Sequence, residues 1–128
     1  MEAPARGRST TVTVFAVLNF CFAAWMLLVA VLLGGALVYG IGFSGDPPEE
    51  KLGGGIVGGI LILVFFLNTF VHVAAGIGLL RLRRWGYYAH LVGAVTEACS
   101  CLGVAYTTLA FVFALQEDFK SQFFPPGP

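Results

Sequence analysis

Two long stretches of this chain carry no charged side chain, and they constrain its fold more than any other feature. One lies between Arg8 and Asp46, the other between Lys51 and Arg81. Each exceeds the ~20 residues that a helix, rising ~1.5 Å per residue, needs to cross a ~30 Å hydrocarbon core. In lipid an unpaired backbone amide is costly, so a crossing segment is a helix or part of a closed barrel. The alternating pattern of barrel strands is absent, and we expect helices.

The composition indicates the same surroundings. Apolar residues make up 58% of the 128 residues and charged residues only 11%, whereas soluble domains have about 25% charged residues. Seven basic side chains balance seven acidic ones. That balance leaves no basic surface for nucleic acid. We therefore expect the lipid bilayer, and not nucleic acid, as the main partner.

The first charge-free stretch predicts a membrane span over about residues 11–39. A secretory signal peptide is the alternative, with Arg6 and Arg8 as its basic region. Signal cores are only ~7–15 residues long, however, and a small-residue cleavage site follows them. The length of this stretch favours a permanent membrane anchor.

The remaining elements follow from the same pattern, within a single transmembrane domain over residues 1–128. They are an extramembrane loop over 43–53, further spans over about 54–80, 85–100 and 103–118, and a tail over 119–128. The stretch after Trp85 has two interpretations, since it is long for one span and short for two. The sequence therefore predicts an all-α polytopic transmembrane bundle, either of four spans with the last two short or of three long spans.

A cluster of basic and aromatic residues sets the expected orientation. Arg81, Arg83 and Arg84 are followed directly by Trp85. Basic residues beside a span favour the cytoplasmic side, and aromatic rings favour the membrane interface. We expect this cluster to anchor a cytoplasmic turn, in a multi-pass protein of the cell membrane whose N-terminus is also cytoplasmic.

Three segments carry a resemblance to a known group of proteins. They are VTVFAVLNF at 12–20, AGIGLLRLRRWG at 75–86 and LQEDFKSQF at 115–123. In these the chain is similar to small uncharacterised bacterial membrane proteins with four spans and both termini inside. The resemblance implies the four-span hairpin arrangement, although a clear polar break at the hairpin apex is missing here. It implies no biochemical activity.

Glycines crowd the start of the second predicted span. Gly54 and Gly58, like Gly55 and Gly59, form small-x-x-x-small pairs. Such pairs let two membrane helices approach closely and gain dispersion contacts that lipid does not supply. A glycine-rich loop leading into the helix is the alternative interpretation.

Polar side chains inside the predicted spans are the candidate functional residues, because they are costly in lipid. They are Asn19, Asn68, His72, His90 and Glu97. Counted along helices from the nearest cytoplasmic arginine, Asn19, Asn68 and His72 lie roughly 14–20 Å into the membrane, and so does Glu97 if the stretch after Trp85 is one helix. A buried polar cluster joining three helices is therefore geometrically feasible. Hydrogen bonds between helices, worth about 0.6 kcal/mol on average, are one interpretation. A proton- or cation-handling role for Glu97 and the histidines is the other, although a hairpin would place Glu97 at the outer interface.

Few chemistries remain open to a chain of this kind. Cys99 and Cys101 point to different helix faces, so neither a metal site nor a cofactor is expected. No serine or cysteine lies in a nucleophile motif, so the sequence predicts a protein that is not an enzyme. The leading hypothesis is a non-catalytic accessory or scaffold subunit that packs against other membrane helices or self-associates. A minimal proton- or ion-coupled carrier or channel is the alternative.

Overall fold

The computed structural model describes residues 9–98 and 101–124, and this part of the chain is all-helical. Its helices are α1 Thr10–Phe43, α2 Pro48–Leu80, α3 Arg84–Glu97, α4 Cys101–Ala114 and a single turn, α5 Glu117–Lys120. Two of the described helices, α1 and α2, are long and apolar enough to cross a membrane. The apolar residues of both helices run around the whole circumference, so no single side is marked as the buried one.

The loop between α1 and α2 is shorter than the sequence predicted. It covers residues 44–47 and not 43–53, because α2 already begins at Pro48. Proline is well tolerated in the first turn of a helix, where its missing N–H has no intrahelical partner. Glu49 and Glu50 follow in that turn, where carboxylates interact favourably with the helix dipole.

After α2 the chain forms an antiparallel hairpin, and not the single long helix that was the alternative. Helix α3 ends at Glu97, Ala98 lies in a turn, and α4 runs back along α3. The Tyr87 hydroxyl donates to the carbonyl of Ala114 over 3.0 Å, which ties the two open ends of the hairpin together. Helix α4 ends at Ala114, before the predicted limit of 118.

The turn between α2 and α3 brings two helices into backbone contact. A Cβ atom added to Gly78 would lie 2.3 Å from the Cα of Gly86. Leu82, with φ of 50°, ends α2 in the left-handed conformation that glycine usually supplies at this position. The amide N–H groups of Leu82 and Arg83 then donate to the carbonyls of Leu79 and Gly78. This tight turn fixes where α3 lies against α2.

The core lies at the end of the bundle where α1 begins and α4 ends. Its largest members include Phe15, Leu79, Tyr87, Phe119 and Phe123. The two ends of the described chain also meet here, since the Ser9 amide donates to Gln122 Oε1 at 3.1 Å and Gln122 Nε2 donates to Ser9 Oγ at 2.9 Å. Within the described residues, the first and last segments therefore share one end of the bundle.

The other half of the α1–α2 hairpin extends past α3 and α4. Helices of 34 and 33 residues are ~50 Å long, whereas α3 and α4, with 14 residues each, reach ~21 Å. We call the exposed apolar residues of this half the outer hairpin surface. It comprises Val31, Leu32, Val38, Tyr39, Ile41 and Phe43 of α1 with Leu52, Ile56, Val57, Ile60, Leu61 and Leu63 of α2.

Candidate functional site

Asn19 occupies the centre of the bundle, and its orientation is fixed by its own helix. The side chain is fully buried, and Nδ2 donates to the carbonyl oxygen of Phe15 at 2.7 Å. Exchanging the amide oxygen and nitrogen would bring two acceptors together, so the carbonyl determines which atom is which. Oδ1 then faces α2, and the second hydrogen of Nδ2 faces α3.

His72 of α2 joins this amide to a carboxyl group. Its Nδ1 lies 3.0 Å from Oδ1 of Asn19, and its Nε2 lies 3.1 Å from Oε1 of Glu97. His72 is fully buried and Glu97 is 3% exposed. The ring of Phe22 stacks on the imidazole with centroids 5.5 Å apart, which holds the ring plane.

His90 of α3 continues the chain of contacts on the opposite side of Asn19. Its Nδ1 lies 3.0 Å from Nδ2 of Asn19 and 3.2 Å from the hydroxyl of Tyr106 on α4. The other ring nitrogen, Nε2, is buried and has no hydrogen-bond partner among the described residues. The rings of Phe15 and Phe119 lie beside it, at centroid distances of 4.9 and 6.5 Å.

Asn68 completes the set on the side of α2. Its Nδ2 donates to Oε1 of Glu97 at 3.2 Å, and the hydroxyl of Thr96 donates to its Oδ1 at 2.8 Å. The structure therefore places all five of the predicted polar residues in one hydrogen-bonded network that joins α1, α2, α3 and α4. Glu97 lies inside this network, in contact with Asn68 and His72 of α2, whereas the hairpin interpretation had implied a position at an outer interface.

The network holds one proton between Glu97 and His72. Asn19 Oδ1 accepts only, so His72 Nδ1 must carry a hydrogen, and in the neutral ring Nε2 is then an acceptor. A carboxylate oxygen 3.1 Å from that Nε2 would be a second acceptor. Either the carboxyl group is protonated or the imidazole carries both protons. In both cases the pair has no net charge, which suits an apolar interior.

Three members of this site were not expected from the sequence. Tyr106 was missed because tyrosine is common in apolar helices, and Thr96 because threonine is only weakly polar. Gly93 gives no polar signal at all, yet a Cβ atom there would lie 3.0 Å from Cε1 of His72. Spacing alone offers one indication: Gly93, Thr96 and Glu97 share a helix face at i, i+3 and i+4.

The four predicted packing glycines divide into two kinds. All lie within α2, and the loop alternative is wrong for them. A Cβ atom at Gly58 would lie 2.8 Å from Leu37 Cδ1, and one at Gly55 would lie 3.4 Å from Ile41 Cδ1, so both pack against α1. Added Cβ atoms at Gly54 and Gly59 would meet no described atom within 4 Å. The predicted i, i+4 pairs are thus split, one member facing inward and the other outward.

The predicted anchor residues occupy the α2–α3 turn, at the end of the bundle where Ser9 and Gln122 meet. Arg81 follows the last residue of α2 and Arg84 begins α3, with Arg83 between them. The Arg84 guanidinium lies over the ring of Phe124 at 5.5 Å, and Trp85 is 49% exposed. The turn therefore combines charge with aromatic surface, as the sequence indicated, and α5 packs next to it.

A groove of about 550 Å³ opens beside the network. Its apolar walls are Met26 of α1 and Val64, Phe65, Leu67 and Val71 of α2, and its polar residues are Asn68, Thr96 and Glu97. It exists because α3 ends at Glu97 while α1 and α2 continue. We call this the Glu97 groove.

The site carries proton-exchanging and hydrogen-bonding groups only. Among the described residues no three His, Cys, Asp or Glu side chains are placed to hold a metal ion; Cys99 and the side chain of Cys101 lie outside them. No family model, curated protein or solved structure matches the chain. Its function is therefore argued from the site and the surface.

Proposed function

We propose that this chain is a multi-pass membrane protein, and that its function is that of a non-catalytic accessory subunit packing against the helices of another membrane protein. The membrane placement is supported by the exposure of α2. Only 11% of the most apolar stretch of this helix is buried, whereas the core helix of a soluble protein is mostly covered. Exposed apolar surface of this extent marks contact with lipid or another protein.

The charges support one orientation in the bilayer. Arg81, Arg83 and Arg84 lie at the end of the bundle that also holds Ser9 and Gln122. Asp46, Glu49 and Glu50 lie at the opposite end of α1 and α2. With basic residues on the cytoplasmic side, the described ends of the chain are cytoplasmic and the acidic loop is outside. The α3–α4 hairpin supplies the two short spans.

The observation that carries the subunit role is the outer hairpin surface. In lipid, helices associate through close packing and hydrogen bonds, and small residues permit that packing. In the inner half of the bundle the polar side chains bind one another, as Asn19 and His72 do. In the outer half it presents two long apolar helices with Gly54 and Gly59 turned outward. This surface fits the helices of a partner.

Site-specific photo-crosslinking in the native membrane tests this role. A photoreactive residue at Leu32 or Ile60, on the outer hairpin surface, should give one discrete crosslinked product. That product should contain the same partner protein, in a constant ratio to this chain, in every preparation. The same residue at Val92, an exposed position on α3, is the matched control and should give none. The subunit role would be refuted if no position, Leu32, Ile60 or Val92, gave a crosslink and the chain were isolated in mild detergent without any other protein.

A carrier is the second candidate, and the Glu97–His72 contact favours it. A proton held between a carboxyl and an imidazole beside a groove is the arrangement that a proton-coupled exchange requires. Reconstituted into vesicles, a carrier would move protons down a gradient, and Glu97→Gln would abolish the flux. Glu117→Gln, on exposed α5, is the control that should not change it. An equal proton flux in the native chain and in Glu97→Gln would exclude the carrier role.

A further inference from the structure

We infer that the Glu97 groove binds a lipophilic organic cation, an apolar body with one positive charge, in exchange for the proton held between Glu97 and His72. The inference rests on the proposed membrane placement, and it is independent of the subunit role. It concerns binding at equilibrium and requires no transport.

The shape of the groove sets the kind of body that fits. Its volume of about 550 Å³ lies within the ~300–1,000 Å³ range of small-molecule sites. Five of its lining residues are apolar, namely Met26, Val64, Phe65, Leu67 and Val71. A ligand here exchanges contacts with lipid chains for contacts with these walls. It must therefore be largely apolar itself.

The polar residues of the groove set the charge of the ligand. Among the described lining residues, Glu97 is the one that ionises, while Asn68 and Thr96 offer neutral amide and hydroxyl groups. An anion would meet the carboxylate without a compensating cation, whereas a cation would pair with it. Charge that is unpaired at this depth is costly. A monovalent cation restores neutrality once the shared proton has left.

Binding and proton release are coupled because the ligand and the proton compensate the same charge. With the cation bound, one proton goes to the solvent, the carboxylate of Glu97 is ionised and His72 is neutral. The carboxylate then moves away from Nε2 of His72, since both are acceptors, and pairs with the cation while Asn68 Nδ2 donates to it. Among the described side chains, the other titratable ones that face this pair are His90 of α3 and Tyr106 of α4, both linked to it through Asn19. Helix α1 contributes the amide of Asn19 and the carbonyl of Phe15, which do not titrate. One proton should therefore leave for each cation bound.

Equilibrium binding of tetraphenylphosphonium to the purified chain in detergent tests the inference. Tetraphenylborate has nearly the same shape and the opposite charge. We expect the cation to bind at one site, with an apparent affinity that rises ~10-fold per pH unit while one proton is released, and the anion not to bind there. Equal binding of the two ions would show an apolar crevice without charge selection and would overturn the inference.

Two pairs of variants locate the site. Glu97→Gln should lower the affinity for the cation at least ~10-fold and remove its pH dependence, whereas Glu117→Gln should bind as the native chain does. Val64→Trp places a large ring inside the groove and leaves every side chain of the network in place, and it should also abolish binding. Leu63→Trp, at an equally exposed neighbouring position outside the lining, should not. Cation binding that survives both Glu97→Gln and Val64→Trp would overturn the inference.

A lipid amine could offer the same chemistry as a free organic cation. Repeating the titration with phosphatidylethanolamine or with phosphatidylglycerol added to the detergent separates the two sources. Competition by the first lipid alone identifies a lipid headgroup as the natural occupant. Unchanged affinity in both identifies a free cation. Because no partner protein takes part, the crosslinking result and this result can fail independently.

Discussion

The imidazole of His72 and the carboxyl group of Glu97 meet at 3.1 Å inside the helix bundle and join α2 to α3. Neither side chain reaches the bundle surface appreciably. Removal of one partner leaves the other buried beside apolar groups, and an unsatisfied buried polar group costs ~1–3 kcal/mol. The loss of stability on substituting either residue should therefore depend on whether the new side chain can still hydrogen-bond to the partner that remains.

His72→Leu should lower the free energy of unfolding by ~2 kcal/mol or more, because Glu97 and Asn19 both lose a partner. Glu97→Gln should cost less, ~1 kcal/mol. The glutamine amide can donate to Nε2 of His72 once the Asn68 amide turns over to present its oxygen and the Thr96 hydroxyl donates to the carbonyl of Gly93. Reversible unfolding in mixed micelles measures both. Cys21→Ala, at an exposed position, is the control. Equal losses in the two variants would contradict the assigned hydrogen bonds.

Backbone contact between Gly78 and Gly86 makes both positions intolerant of any side chain. A Cβ atom at Gly86 would lie 2.2 Å from the carbonyl carbon of Gly78, and backbone atoms cannot move aside as a side chain does. Gly86→Ala should destabilise the bundle by at least ~2 kcal/mol through overpacking.

Gly59→Ala is the matched control for that substitution, because an added Cβ atom there meets no described neighbour. Alanine is preferred to glycine within a helix by roughly 0.5–1 kcal/mol, so this variant should be neutral or slightly more stable. The same unfolding measurement compares the two. A stable Gly86→Ala protein would show that α2 and α3 do not cross this closely.

The long helices and the polar cluster could be anticipated by taking lipid as the expected solvent. Each of the two charge-free stretches was expected to be helical, and α1 covers most of one and α2 all of the other. Charge spacing did not give the helix ends, since α2 begins at Pro48 and includes Glu49, Glu50 and Lys51. Polar side chains buried among apolar helices are expected to hydrogen-bond to one another, as Asn19 and His72 do. Those arguments depend on solvent and not on details of packing.

Other features depended on contacts that spacing does not reveal. The apex between α3 and α4 carries no proline, so the sequence left the choice between a hairpin and one long helix open. The Gly78–Gly86 contact was missed because glycines in membrane helices are frequent and only geometry separates contact sites from open ones. Tyr106 was missed because its hydroxyl is a polar tip on an apolar ring, and it joins the network only through the return of α4.

The side of the membrane on which each segment lies can be tested by labelling. After the three native cysteines are replaced, a single cysteine is introduced by Glu50→Cys or by Ser121→Cys. In intact cells a membrane-impermeant maleimide should label the first, which lies at the acidic end of α1 and α2. It should label the second only after permeabilisation, because Ser121 follows α5 near the arginine turn. Labelling of both in intact cells would indicate an odd number of spans.

The two histidines should differ in which ring nitrogen carries hydrogen, although both contact the same amide. Asn19 presents its oxygen to Nδ1 of His72 and its nitrogen to Nδ1 of His90, each at 3.0 Å. Nδ1 is therefore protonated in His72 and unprotonated in neutral His90, whose hydrogen resides on Nε2. Nitrogen-15 NMR of histidine-labelled protein should show one Nδ1 of each kind. In Asn19→Leu the acceptor for Nδ1 of His72 is gone, so the signal of that nitrogen should change, whereas Nδ1 of His90 keeps its contact with the Tyr106 hydroxyl and should change less. Two histidines with identical Nδ1 states in the native chain would mean that Asn19 is oriented differently and that the proton is not confined to the Glu97 side.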